Sequence, residues 1–248
     1  MAHPGGEKSE MAGEEASTQG RIEEQTAAST QGGTATSAGP RTQVEESSQT
    51  DQPAPSTPFA STTASPTLMS ELEAAGIVPD VLDTFNPSAQ LNLVFGTDKG
   101  TLQIENGERY ASADLKSSPM LSIHENFVEA QSHLYTVVLV DLDSPDPTNP
   151  GNGEYLHWLV TNIPGPQATS DAALMDPAKV GKVVASYEPI QPKGDLPHRY
   201  AFVLFRQRPT AVLDIPSTDD RRQFKMSSFL MSSAVAAPVM AGYFTSSH

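Results

Sequence analysis

The stretch "YTVVLVDLDSPDPTNPGNGEYLHWLV", residues 135–160, decides the fold. An apolar, β-branched run closes on Asp141 and Asp143, spends a dozen residues on Pro, Gly and Asn, and resumes as a second apolar run that carries His157. The runs at 135–141 and 156–163, like "YAFVLFRQ" at 200–207, are apolar on both faces. That is the pattern of strands inside a packed sandwich. Carboxylates at the mouth of such a strand cost free energy unless they are paired or exposed, so the turn is either a surface feature or a site.

Weaker strand signals precede these three. "LNLVF" at 91–95, "TLQI" at 101–104 and "MLSI" at 120–123 are separated by "GTDKG", which reads as a hairpin turn, and "ENGE". Two helices are expected. One runs from Glu71, capped by Ser70 and ended by Gly76. A later one is capped by Ser217 or Thr218, has Asp219 and Asp220 at its positive end, and sets Phe224, Ser228 and Met231 on one face. Many short strands, proline turns and little helix predict an all-β protein: a two-sheet antiparallel β-sandwich with a few short peripheral helices.

Composition divides the 248 residues in two. Residues 1–69 hold one aromatic, Phe59, and are largely Ser, Thr, Gly, Gln, Glu and Ala. Such a segment buries too little apolar area to offset chain entropy and is expected to be a disordered tail. Residues 70–248 carry the Trp and every Tyr, enough for one domain with a full core. Net charge is −15, and nine acidic residues against Lys8, Arg21 and Arg41 put about −6 of it in the tail. Nucleic acid is excluded as a partner, because a phosphate-binding surface needs clustered cations and the pair Arg221–Arg222 is too small. Contact with anionic membranes is at most weak or peripheral. With no cysteine, disulfides, thiolate catalysis and iron–sulfur clusters are excluded. No signal peptide or membrane-spanning stretch is visible, and a cytoplasmic monomer without a cofactor is expected.

Three polar clusters remain. Asp141 and Asp143 share a face if the strand persists. A calcium loop starting at Asp141 fails, with Asp146 where glycine is needed and Asn152 where a bidentate Glu is needed. His157 lies on the face of Tyr155 and Leu159 by strand parity, opposite Trp158, and His198 shares the face of Tyr200. Each histidine alone reads equally as a buried structural residue. Together they allow an anion pocket, a hydrolase built on Ser144, His157 and Asp141, or a His/Asp metal site.

Four blocks then resemble, in order, the phosphatidylethanolamine-binding protein family: "DLDSPDP" for its D-P-D-x-P motif, "HWLVTNIPG", "PKGDLPHRYAFVLFRQ" for its G-x-H-R-Y motif, and "APVMAGYF". The resemblance covers about residues 70–245. It implies a two-sheet β-sandwich whose small pocket binds phosphate or phosphoethanolamine-like headgroups. By motif position the pocket falls on Asp141, Asp143, Pro145, Tyr155, His157, Pro192, His198 and Tyr200, with Asp141 orienting His157. The resemblance further implies no catalysis, no metal and no cofactor, and a role as inhibitor or modulator of a protease of the serine carboxypeptidase type or of a kinase pathway. Leu142 replaces the motif's first proline, Gln191 stands where a Pro-Pro pair begins, Tyr187 is displaced by one position and Leu196 replaces a glycine. An insertion in "PQATSDAALMDPAKVGK" and a chain that stops just after "AGYF" place the sequence nearest the fungal carboxypeptidase Y inhibitor branch.

Overall fold

The computed structural model describes residues 66–125, 132–166, 173–209, 211–232 and 235–248. The expected tail, 1–69, lies outside them except for 66–69, which open helix α1 (Pro66–Ala74). The helix therefore starts before Ser70, which sits inside it instead of capping it. Proline suits the first helical position because its missing N–H has no intrahelical acceptor there. Gly76 terminates the segment as expected, with φ of +68°, a left-handed conformation that glycine adopts without strain.

Strands follow in the order β1 (Ala89–Thr97), β2 (Gly100–Gln103), β3 (Arg109–Ala111), β4 (Met120–Glu125), β5 (Leu134–Asp141) and β6 (Tyr155–Pro164). After the short helix α2 (Pro177–Val180) come β7 (Lys182–Ala185), β8 (His198–Gln207), helix α3 (Met226–Ser232) and β9 (Val235–Ser247). The strands make a small sheet ordered β2-β1-β4 and a large sheet ordered β3-β9-β8-β5-β6-β7. "GTDKG" is a hairpin turn: Thr97 pairs with Gly100 across two residues. Every strand pair is antiparallel except β3 with β9, which run parallel.

Period-two alternation sends the two faces of the large sheet into two cores. On β8, Tyr200, Phe202 and Leu204 pack with Leu91, Leu93 and Phe95 of the small sheet. The alternate residues Ala201, Val203 and Phe205 pack on the other side with Leu72, Ile77 and Leu82 of the α1 region and with Met226 and Phe229 of α3. This third layer is why β5, β6 and β8 are apolar on both faces.

Two expectations are corrected. β6 does not keep simple alternation: Leu139 pairs with Trp158 but Val140 with Leu156, which leaves His157 as an extra, bulged residue. The bulge turns His157 to the same side as Trp158, whereas parity put them on opposite faces. A second irregularity at Asn162, φ +58°, lets its side chain accept from the Leu213 and Gln207 N–H groups. The late helix is the other correction, since α3 begins at Met226 and not after Thr218. Thr218 closes a local turn with Asp220 instead, and the α3 N-terminus is capped by Glu154, the residue before β6, which accepts the Met226 N–H at 2.8 Å. Met231 is 90% exposed, so it takes no part in the buried face. Among the described residues, no helix is long and apolar enough to cross a membrane.

Candidate ligand-binding site

Adjacent strand ends build the site. In the order β8-β5-β6, Asp141 pairs with Tyr200 on one side and Tyr155 on the other, so the ends of three neighbouring strands meet at one rim of the large sheet. A cleft of about 370 Å³ opens there, lined by the predicted Asp141, Pro145, Tyr155, His157 and His198. Ser144, Asn152, Glu188, Pro189, Gln191 and Lys193 complete it.

The two histidines are in opposite states. His198 is buried, its Nδ1 2.9 Å from Asp141 Oδ2 and its Nε2 3.1 Å from the Lys193 carbonyl. Both partners are acceptors, so both ring nitrogens donate and the ring is an imidazolium. Burial works against that charge, but the Asp141 bond and charge and the Lys193 carbonyl outweigh it and hold the pKa above the ordinary histidine value. His157 instead donates from Nδ1 to the Glu188 carbonyl at 2.9 Å, and its Nε2 meets no partner among the described residues. Burial pushes its pKa down, opposed by the Glu188 carbonyl and the charges of Asp141 and Glu188. It is neutral at pH 7, with an unspent nitrogen.

The expected Asp141–His157 pair is therefore replaced by Asp141–His198. The other Asp141 oxygen, Oδ1, accepts the Asp143 N–H at 2.8 Å, which ends β5 at Asp141 and separates the two carboxylates. Asp143 is buried but does not line the cleft. It receives the Arg199 backbone N–H at 2.7 Å, Nε at 3.0 Å and NH2 at 2.7 Å, a paired fork that carries strong charge-assisted bonds. Arg199 also donates to the Ala75 carbonyl, tying the end of α1 to the turn.

Tyr200 and Pro192 are buried beneath the site and absent from its lining. The Tyr200 ring stacks on Phe244 and His198 and meets His157 edge-on at 5.4 Å, forming the floor under both imidazoles. Burial, followed by the Asp141 charge, drives its hydroxyl pKa far upward, so it stays protonated. Tyr155 stands edge-on to His157 at 5.3 Å and donates to Glu188 at 3.0 Å.

Glu188 and Arg221 escaped the sequence reading. Arg221 bonds the Leu156 and His157 carbonyls, the Ser186 carbonyl and the Glu188 carboxylate, the last at 3.0 Å. One guanidinium thus braces the β6 bulge against segment 186–188. Its only signal in the sequence is a basic pair inside the acidic run "TDDRRQF", and pairing alone does not reveal a brace. Both lining carboxylates are consequently matched by cations, Asp141 by His198 and Glu188 by Arg221. Lys193, exposed and lining the cleft, is its one charge unmatched among the described residues.

The family departures sort by position. Leu142 packs into the outer core, and its N–H donates to the Arg199 carbonyl at 3.0 Å, a bond proline could not make. Leu196 is 47% exposed and outside the lining, whereas Gln191 lines the cleft. The displaced Tyr187 donates to the Leu115 carbonyl at 2.6 Å, away from the cleft. Of the insertion, residues 167–172 lie outside the described residues, and Met175 bridges to Leu121 of β4.

Comparison with known proteins agrees with this fold. The family model described as "Phosphatidylethanolamine-binding protein" matches residues 94–244. "Protein TERMINAL FLOWER 1" of Arabidopsis thaliana is 35% identical over 168 residues, spanning 68% of this chain and 85% of that protein. "Protein BROTHER of FT and TFL 1", from the same plant, is 36% identical over 169 residues, with 68% and 85% coverage. Among solved structures, a carboxypeptidase Y inhibitor complexed with its cognate proteinase superposes with TM-score 0.61 at 20% identity, covering 74% of this chain and 96% of that one. A phosphatidylethanolamine-binding protein from Plasmodium vivax gives TM-score 0.56 at 19% identity, covering 72% and 96%. The two structural likenesses show a shared fold and do not single out the inhibitor branch, and these sequence relatives are plant proteins. With the family model matching more than half its length, the chain belongs to the phosphatidylethanolamine-binding protein family.

Proposed function

We propose that the protein is a non-catalytic binding protein whose cleft takes a small phosphate-like anion, such as a phosphoethanolamine headgroup, and that it acts by modulating a second protein. The observation that carries this reading is the unspent Nε2 of His157 beside Lys193 in a cleft whose carboxylates are already matched. An anion accepting from Nε2 would favour the imidazolium and draw a proton onto the ring. The hydrolase alternative lacks its relay: Ser144 Oγ accepts from Asn152 Nδ2 at 3.0 Å, His157 Nδ1 is held by a carbonyl, and Asp141 is spent on His198. For the metal alternative, no cluster of three ligand side chains occurs among the described residues.

The modulated partner in this reading is a protease of the serine carboxypeptidase type, supported by the fold shared with an inhibitor of such an enzyme. A kinase pathway is the second possibility. The protein works as a monomer in the cytosol, and a fluorescent fusion checks that location. Calorimetric titration of the full chain with phosphoethanolamine tests the pocket. Saturable heat that disappears in His157→Ala supports it, and no heat overturns it. Ester turnover abolished by Ser144→Ala would replace binding with hydrolysis. Inhibition of a serine carboxypeptidase by the purified chain checks the partner.

A further inference from the structure

A second cleft, of about 290 Å³, shares no lining residue with the first and is lined by Ser186 and Tyr187, where the first takes Glu188. Trp158 and Tyr187 give it an aromatic wall, with their rings edge to face at 6.4 Å. The wall is rigid because Tyr187 donates to the Leu115 carbonyl and also packs on Phe95 at 5.9 Å. Ala178 of α2 also lines it, and its position is fixed from both ends. Asp176 accepts the Ala178 N–H at 3.1 Å. At the other end α2 passes so close to β6 that a Cβ on Gly181 would lie 2.6 Å from the Thr161 carbonyl. Only glycine permits that approach.

The polar side chains that line this cleft can all donate. Lys116 has no carboxylate partner among the described residues, an unmatched cation on a chain of net charge −15. Ser118 makes no hydrogen bond among the described residues, and Ser186 Oγ accepts from Arg221 at 3.2 Å, which leaves its own hydroxyl proton to give. Trp158 is 1% exposed, and its indole N–H has no acceptor among the described residues. A nearly buried donor without an acceptor is costly unless a ligand or water meets it. Donors and one cation beside an aromatic wall match a molecule with an apolar body and an anionic acceptor end.

We propose that this second cleft binds a small apolar carboxylate, its body against Trp158 and Tyr187 and its carboxylate on Lys116. The site is independent of the anion cleft and of the function assigned to it. Trp158 is the single tryptophan of the chain, so its fluorescence reports on this wall.

The test titrates 3-phenylpropionate into the full-length protein while following tryptophan emission, with 3-phenylpropanol and sulfate in parallel. A saturable change is expected from the carboxylate, with affinity about tenfold lower for the uncharged alcohol and for Lys116→Glu. Lys116 is exposed, so that variant should fold; unchanged far-UV circular dichroism checks it. A second variant, Ala178→Phe, fills the cleft from the α2 side and should abolish the change. No saturable response overturns the proposal, as does equal affinity in Lys116→Glu. Competition by sulfate would overturn it as well, by placing the carboxylate in the first cleft.

Discussion

The two ends of the β5–β8 pair both bury charge, yet one of them forms a site. At the closed end, Tyr135 faces Arg206 in the pairing. Glu125 there accepts from Tyr135 at 2.5 Å and from Ser88 at 2.9 Å and pairs with Arg206. These donors converge on one carboxylate, which is not among the residues lining the cleft at the other end. At the open end, Asp141–His198 and Glu188–Arg221 are equally matched, but they stand around a cavity where His157 Nε2 and Lys193 have no partner among the described residues. Buried charge alone therefore does not mark function. What marks it is a polar group left unsatisfied beside open space.

The largest expected effect breaks the closed end. Arg206→Met strands Glu125 as an uncompensated buried carboxylate and should cost about 3–5 kcal/mol in urea denaturation, while sulfate affinity at the far rim stays unchanged. Loss of affinity alongside stability would mean that the two ends are coupled.

Next comes Asp141→Asn at the open end. Asparagine can still accept from His198, so the loss should be on the order of 2 kcal/mol, the difference made by the charge. The same variant should change the pH dependence of stability. His198 has a raised folded pKa, so its contribution is full below about 6.5 and is lost as pH rises through the folded value. His157 has a lowered folded pKa, so stability falls as pH drops from about 6.5 through its folded value. Together they place a maximum near pH 6.5. Thermal melts should show Asp141→Asn flattening the alkaline limb and His157→Asn the acidic one; unchanged limbs would contradict the assigned protonation states.

Binding should follow His157 and not His198. Sulfate, whose charge is constant across this range, should bind more tightly as pH falls below 6.5, with proton uptake read from calorimetry in buffers of different ionisation enthalpy. His157→Ala should abolish the uptake. A pH dependence confined to the range above 6.5, with affinity falling as pH rises there, would assign the anion to His198 instead. The smallest effect belongs to Lys193→Ala: a few-fold loss of affinity that shrinks at high salt, because an exposed charge is screened.

Much of the fold was legible because alternation and turn chemistry are local. The both-face apolar runs 135–141, 156–163 and 200–207 became β5, β6 and β8, and "GTDKG" became the hairpin turn. α3 was misplaced because its cap is Glu154, more than seventy residues away, which no local pattern displays. In the same way, motif order selected Asp141, Pro145, Tyr155, His157 and His198 for the rim, but could not tell that Asp143 and Tyr200 face the interior.

By itself, then, the sequence determined the strand pattern, the sandwich class and the residue types gathered at one rim, since these depend on periodicity and on the order of motifs along the chain. Only the tertiary structure decided which histidine carries the charge. A single bulge in β6 sends His157 to a carbonyl, and the pairing of β5 with β8 gives Asp141 to His198. Protonation depends on partners within hydrogen-bond distance, and those partners are neighbours in space and not in sequence.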